Sequence, residues 1–213
     1  MRWANRRAAR PVAAAANAWG LTPNSVTAMS GIASLAGLAV LVLADRSVVS
    51  GVTVAVLLAL GFVLDSADGQ LARLSGMSGP AGEWVDHVVD ALRAPTVHVA
   101  VGAALYLGGE RGWLLLVPVA FGLLTVVQFF SQTLADHLVR AGGRSQDPAE
   151  GGVLKSFALL PVDTGTLCWM FVLWGLPTAF LVAYVGLFAC NLVHTVASMR
   201  RKHVMLVSMG ETR

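Results

Sequence analysis

Charged residues are scarce in this sequence of 213 residues. They make up 13% of the chain, about half the ~25% that is usual in soluble domains, while hydrophobic residues make up 56%. A soluble globular domain is excluded, because its surface would need far more charge than this. The mean hydropathy of +0.69 comes from apolar runs that are separated along the chain. Separated runs predict several membrane crossings rather than one large core.

Cysteine is also rare, and the surplus of positive charge is small. The two cysteines, Cys168 and Cys190, both fall inside apolar runs, so neither their number nor their spacing fits a disulfide framework or a zinc site. The net charge is only +3, and no basic block stands among interleaved aromatic residues. This pattern argues against nucleic acid as a partner and leaves membrane lipids as the expected surroundings.

The apolar runs are long enough to cross a membrane as helices, which takes about 20 residues each. Six such stretches are Val26–Leu43, Val48–Leu64, Val85–Leu107, Trp113–Phe130, Phe157–Leu173 and Pro177–Val196. The sequence therefore predicts an all-α polytopic membrane protein. Its six transmembrane helices form one domain over residues 21–203, followed by a cytoplasmic tail over residues 204–213.

The first twenty residues form a separate segment in this prediction. Residues 1–20 combine a basic start with small residues, as a signal peptide does, but they contain no Leu, Ile or Phe. Arg2, Arg6 and Arg10 recur every four residues with tryptophans nearby, which favours an amphipathic helix lying in the membrane interface. The alternative is a disordered basic tail held near anionic lipid by charge alone.

Basic residues divide unequally between the two sides of the membrane. Twelve lie on the side of the termini and the two longer connectors: Arg2, Arg6, Arg7, Arg10, Arg73, Arg140, Arg144, Lys155, Arg200, Arg201, Lys202 and Arg213. The other side holds Arg46 and Arg111, and Arg93 lies within a crossing. Because positively charged loops resist translocation, the sequence predicts a multi-pass protein of the cell membrane with both termini and both longer connectors in the cytoplasm.

Four aspartates stand at or within the ends of two crossings, where charge is costly. An Asp at mid-bilayer opposes insertion by ~2.5–3.5 kcal/mol, less near an interface. Asp65 and Asp68 are three residues apart and Asp86 and Asp90 are four apart, so each pair lies on one helix face. The Gly-, Ser- and Pro-containing connector 74–81 would fold the two helices antiparallel, which brings both pairs to nearly equal depth.

Four converging carboxylates without Cys or several His are hard oxygen ligands. They suit Mg²⁺, Mn²⁺ or Ca²⁺ and not Zn²⁺. Two such ions ~3.5–4 Å apart would cancel most of the charge and are a common clamp for displacement at phosphorus. The alternative is that Arg73, Arg93 and water satisfy the acids without any metal.

The same residues resemble a family signature. Asp65-x-x-Asp68-Gly69-x-x-Ala72-Arg73, eight further residues, and then Gly82-x-x-x-Asp86-x-x-x-Asp90 match the pattern of the CDP-alcohol phosphotransferase (phosphatidyltransferase) family. Thr22-Pro23-Asn24 and Thr27 are similar to a less specific feature of that family. The resemblance implies six crossings, a cytoplasmic active site, an N-terminal interfacial helix and a homodimer.

The resemblance also implies a reaction. An acceptor hydroxyl would attack the β-phosphorus of a CDP-alcohol such as CDP-diacylglycerol and release CMP, a step of phospholipid biosynthesis. Asp65, Asp68 and Asp86, with Asp90, would bind two Mg²⁺ ions, for which Mn²⁺ can substitute. Asp90 would also be the catalytic general base. The nucleotide would contact Asp65, Asp68, Gly69, Ala72, Arg73 and Gly82, with Gly69 and Ala72 small enough to admit it and Gly82 allowing a close helix approach.

The acceptor alcohol is left open by the residues that flank the signature. Asp86-His87 and Asp90-Ala91 match no subfamily pattern that would name it. Residues that could bind a phosphorylated acceptor are Arg140, Arg144, Lys155 and Arg200, although positive-inside topology explains them equally well. Asp163 could bind acceptor hydroxyls, or it could pair with Lys155 or a backbone donor.

A transporter that relays cations or protons through buried acids is the rival class of function. Its weakness is the location of the acids, which cluster at the cytoplasmic ends of two helices without a matching set in a second repeat. Release of CMP from a CDP-alcohol would separate the two classes.

Overall fold

The computed structural model describes residues 2–142 and 160–210, and this part of the chain is helical and contains no strand. It has seven α-helices: α1 (Arg2–Ala18), α2 (Pro23–Leu43), α3 (Val48–Leu74), α4 (Pro80–Leu107), α5 (Leu116–Ala141), α6 (Thr164–Met170) and α7 (Pro177–Gly210). Short 3₁₀ segments precede α5 and flank α6. The predicted all-α class is confirmed.

Five of the helices are long and apolar enough to cross a membrane: α2, α3, α4, α5 with its preceding turn, and α7. The predicted fifth crossing, Phe157–Leu173, differs in its described part. There the apolar helical segment is limited to Thr164–Gly175, which spans about 18 Å at 1.5 Å per residue, short of the ~30 Å apolar layer. The segment is short because Asp163 caps its beginning and a 3₁₀ turn ends it at Gly175.

Local sequence signals explain where the long helices begin. Thr22 caps α2 by accepting a hydrogen bond from the Ser25 amide, directly before a proline in the first turn. Ser47 begins α3 with a reciprocal capping box to Ser50. Gly76, at a φ of +68°, turns the chain between α3 and α4, a conformation that residues with a side chain rarely adopt.

The larger hydrophobic core is formed by residues of α2 to α7 and lies at the end of the bundle away from the signature aspartates. Its aromatic members are Phe121, Phe171, Trp174, Phe180 and Tyr184. Arg46, in the connector before α3, closes this end. Its Nε donates to the Trp174 carbonyl at 2.8 Å, and its guanidinium lies 4.2 Å from the Trp174 ring centroid. The connector between α2 and α3 is thereby fixed to the turn before α7.

At the other end, the N-terminal helix packs onto the bundle through small residues. Ala9, Ala13 and Ala16 of α1 are buried against Ala67 and Leu71 of α3. The helix predicted within residues 1–20 is therefore present, while its position in the membrane interface remains a prediction. At the C-terminus, α7 continues as a helix over residues 204–210, and the cytoplasmic location of that segment also remains a prediction.

Candidate metal and phosphate site

The two antiparallel helices α3 and α4 bring three aspartates together. Asp65, Asp68 and Asp86 each offer one carboxylate oxygen, and these oxygens lie within 4.8 Å of one another. Oxygens on opposite sides of one ion are about 4.2 Å apart for Mg²⁺ and about 5 Å apart for Ca²⁺. Asp68 is 5% exposed and the other two are partly buried. This acid trio therefore fits a single hard divalent cation, with at most a small rotation of the side chains.

Asp68 is supported from α2. The Thr27 hydroxyl donates to Asp68 Oδ2 at 2.5 Å, and both side chains are buried. A hydrogen bond of this kind orients a carboxylate for metal binding and stabilises its charge. The sequence had marked Thr27 only as part of a family feature before the first crossing, and the structure gives it a physical role.

Asp90 does not join the acid trio and lies beside Arg93. Arg93 Nη1 is 3.6 Å from Asp90 Oδ1 and 2.6 Å from Asp65 Oδ1, and the Arg93 side chain is 15% exposed. From the sequence, Arg93 is expected only to neutralise the acids in the alternative without a metal. An arginine inside an apolar crossing, three residues after an aspartate, is the signal that could have identified it as a site residue.

A cleft of about 680 Å³ opens over the acid trio. It is lined by Arg10, Asp65, Ser66, Asp68, Gly69, Gln70, Arg73 and Asp86. Arg73 lines this cleft, and its contact with nucleotide remains a prediction. Arg10 comes from α1 and was predicted only as part of the interfacial helix, so the N-terminal helix contributes a second positive charge to the cleft. Two arginines facing three carboxylates suit an anionic ligand that binds together with a cation.

The small residues of the signature have different surroundings. Among the described residues, an added Cβ at Gly69 would meet only Arg73 Nη1, at 3.8 Å, so the glycine leaves open space in the cleft. At Gly82 an added Cβ would contact no atom of the described residues within 4 Å. The close helix approach expected at Gly82 is therefore wrong, because no described helix backbone packs against this glycine. Ala72 is partly buried and is not among the residues that line the cleft. Contact of Gly82 and Ala72 with nucleotide remains a prediction.

The candidate acceptor residues that the structure describes lie away from the lining of this cleft. Arg140, near the end of α5, pairs with Glu83 of α4 at 3.1 Å. Asp163 accepts a hydrogen bond from the Gly165 amide at 3.0 Å, which agrees with the alternative of a backbone donor. Arg200 lies on α7 beside Val196 and Val204, along an apolar groove. Arg144 and Lys155 fall outside the described residues.

Comparison with known proteins assigns a family to most of the chain. The family model of the CDP-alcohol phosphatidyltransferases matches residues 20–199. None of the curated proteins compared with the chain matches it. The matched range begins just after α1 and ends within α7. It includes every aspartate of the site, the whole of α2 to α5 and the first part of α7.

Proposed function

Because the chain belongs to the CDP-alcohol phosphatidyltransferase family, we propose that it transfers the phosphatidyl group of CDP-diacylglycerol to an acceptor alcohol and releases CMP. The observation that carries this proposal is the acid trio of Asp65, Asp68 and Asp86 beneath a cleft that also holds Arg10 and Arg73. Such a cleft provides both a cation site and positive side chains for a diphosphate. The catalytic domain is then the helical bundle itself.

The acid trio would hold the divalent cation, for which we propose Mg²⁺ with Mn²⁺ as a substitute. When bound, the metal supplies positive charge to the diphosphate as negative charge develops on its bridging and leaving oxygens. A second ion would require Asp90 as an additional ligand. Arg10 and Arg73 would bind phosphate oxygens of the donor from the sides of the cleft, where their donors match the geometry of a phosphate.

Asp90 would act as the general base. It would take the proton of the acceptor hydroxyl while the hydroxyl oxygen forms a bond to the β-phosphorus. The bond from that phosphorus to the oxygen bridging the two phosphates would break, and CMP would leave with the bonding electron pair. The Asp90 side chain is 36% exposed, so an acceptor can reach it. Asp65 and Asp68 are less exposed and suit a fixed role as ligands.

CMP release from CDP-diacylglycerol tests this proposal. Purified protein would be incubated with Mg²⁺, the donor and a panel of alcohols that includes phosphorylated and unphosphorylated polyols. We expect CMP and a new phospholipid with at least one acceptor, and neither product with the variant Asp68→Asn. Cation flux into liposomes without CMP release from any CDP-alcohol would instead favour the transporter.

The proposed orientation places the cleft, both termini and the longer connectors in the cytoplasm, and the proposed assembly is a homodimer. The orientation is supported by the twelve basic residues on that side of the sequence. Reporter fusions at each terminus would test the orientation, and mass measurement of the protein in nanodiscs would test the dimer. A reporter active only outside the cell, or a monomeric mass, would contradict the respective proposal.

A further inference from the structure

Arg93 is a charged residue inside a spanning helix that the proposed reaction does not use. It lies on α4, one turn beyond Asp90, and its side chain is 15% exposed. An arginine in such a position opposes membrane insertion by ~2.5–3.5 kcal/mol at the centre of a bilayer. The contacts of Arg93 must offset this cost of insertion. The same contacts indicate the role of the residue.

Those contacts join an acid of the trio to the proposed base. Arg93 Nη1 lies 2.6 Å from Asp65 Oδ1 and 3.6 Å from Asp90 Oδ1. Asp65 is a member of the acid trio and Asp90 is not. The guanidinium therefore stands between the carboxylate that would bind metal and the carboxylate that would accept the proton, and its charge offsets their mutual repulsion.

The guanidinium is itself held in place from the neighbouring helix. Arg93 Nη2 donates to Ser30 Oγ at 2.8 Å, and Ser30 Oγ donates to the Gly61 carbonyl at 2.8 Å. Ser30 is fully buried. One chain of hydrogen bonds thus runs from α3 through α2 to α4. A planar guanidinium fixed by such a chain holds its carboxylate partners in a defined place, which a mobile lysine would not do.

We propose that Arg93 is a positioning residue that serves as the built-in counter-ion of the site. It holds Asp65 and Asp90 side by side, and a divalent cation bound by the acid trio would share Asp65 with it. The charge of the arginine would therefore stabilise the acids when no cation is bound and weaken their affinity for metal. This inference rests on the proposed function in one respect, which is that the acid trio binds a divalent cation.

Two measurements on purified full-length protein in detergent test the inference. Mn²⁺ binding is titrated without nucleotide, and thermal unfolding is recorded in excess chelator. We expect Arg93→Gln to unfold at a lower temperature than the natural protein and to bind Mn²⁺ about tenfold more tightly, the size expected when one like charge leaves a hydrated site. A residue with only a packing role would lower both the unfolding temperature and the metal affinity.

Further variants separate charge from position. Arg93→Lys keeps the charge but cannot contact Ser30 and Asp65 together, so we expect Mn²⁺ affinity within threefold of the natural protein and partial loss of metal-free stability. Ser30→Ala should behave in the same way. Arg111→Gln is the matched control, because that arginine contacts the carbonyls of Tyr106, in the last turn of α4, and of Glu110, just beyond it. It should change neither measurement.

The outcomes distinguish this inference from the proposed function. If the natural protein binds no Mn²⁺, the metal site of the proposed function is wrong. If it binds Mn²⁺ and Arg93→Gln binds it no more tightly, or unfolds unchanged in chelator, only the role of Arg93 is overturned. Should Arg93→Gln fail to fold, Arg93→Lys still tests the role of Arg93. A loss of Mn²⁺ affinity beyond tenfold in that variant would contradict the proposal that Arg93 is a counter-ion that competes with the metal.

Discussion

Asp90 differs from the other three signature aspartates in what surrounds it. Asp65 and Asp90 both contact Arg93, and Asp90 is the more exposed of the two. Asp90 also lies outside the acid trio. The substitution Asp90→Asn keeps the size of the side chain and removes its capacity to accept a proton. We expect binding of CDP-diacylglycerol to persist while turnover falls by about 10²–10⁴-fold. Equilibrium binding and CMP release, measured on the same preparation, check this. Weak donor binding with normal turnover at saturation would assign the base elsewhere.

A second prediction concerns Thr27, whose hydroxyl donates a hydrogen bond to the buried carboxylate of Asp68. Thr27→Val keeps the shape and removes the hydrogen bond to Asp68. We expect Mn²⁺ affinity to fall about 10–100-fold, as for other residues that orient a metal ligand. Thr53→Val is the control, since that hydroxyl donates to the Val49 carbonyl of its own helix. Equal metal affinity in both variants would show that Asp68 needs no such support.

Some contacts of the site could be predicted from the sequence, and others could not. The convergence of Asp65, Asp68 and Asp86 follows from spacing, since helix periodicity puts each pair on one face and a short turn puts the faces together. The contacts of Thr27 and Arg93 do not follow, because each crosses from one helix to another. The spacing of residues within one helix does not show which residues of a neighbouring helix their side chains will contact.

At the scale of elements, the close approach of α2 and α3 depends on a glycine. A Cβ at Gly61 would lie 3.0 Å from the Ser30 carbonyl oxygen and would also collide with the Ser34 hydroxyl. Gly61→Ala should therefore separate the helices and lower stability by about 1–3 kcal/mol. Gly31→Ala is the control, since an added Cβ there meets no atom of the described part of the chain within 4 Å. Thermal unfolding in detergent compares the two, and equal unfolding temperatures would show that the helices can adjust freely.

The pairing of α4 with α5 through Glu83 and Arg140 bears on the acceptor. If Arg140 receives an acceptor phosphate, it must leave Glu83, which lies 3.1 Å away. Glu83→Gln should then lower the KM for a phosphorylated acceptor, and Arg140→Gln should raise it by about tenfold or more. Neither should change the KM for the unphosphorylated alcohol. Kinetics with glycerol and inositol, each with and without phosphate, make the comparison. If Arg140 only orients the protein in the membrane, the two substitutions would leave the KM for the phosphorylated acceptor unchanged.

Elements were predictable where the apolar run was long and uninterrupted. The five spanning helices correspond to such runs. The predicted fifth crossing was read from composition alone, but its described part is a short helix capped by Asp163 and flanked by 3₁₀ turns. Capping fixes where a helix begins, whereas hydropathy reports only that a segment avoids water. The packing of α1 on α3 was equally hidden, since alanines give no strong apolar signal.

At the scale of the whole molecule, dependence on a divalent metal is the main prediction. Chelation should abolish CMP release, and Mg²⁺ or Mn²⁺ should restore it, because the acid trio offers oxygen ligands only. Zn²⁺ should restore it poorly, since it prefers nitrogen and sulfur ligands in tetrahedral sites. Rates in chelator with each metal added back are the measurement. Full turnover in chelator would leave acid–base chemistry without metal as the mechanism.

The ion pair between Asp65 and Arg93 also constrains how the chain enters the bilayer. Asp65 and Asp68 lie toward the end of α3, and Arg93 lies within the next helix. During synthesis α3 emerges before Arg93, so Asp65 reaches the membrane without its ion-pair partner, whereas Thr27 of α2 is already present to contact Asp68. Insertion of α3 alone would carry the penalty of the unpaired Asp65 charge, whereas a hairpin of α3 and α4 brings the compensating arginine with it. The two helices are therefore expected to enter the membrane as one unit, with the translocon holding α3 until α4 has been made.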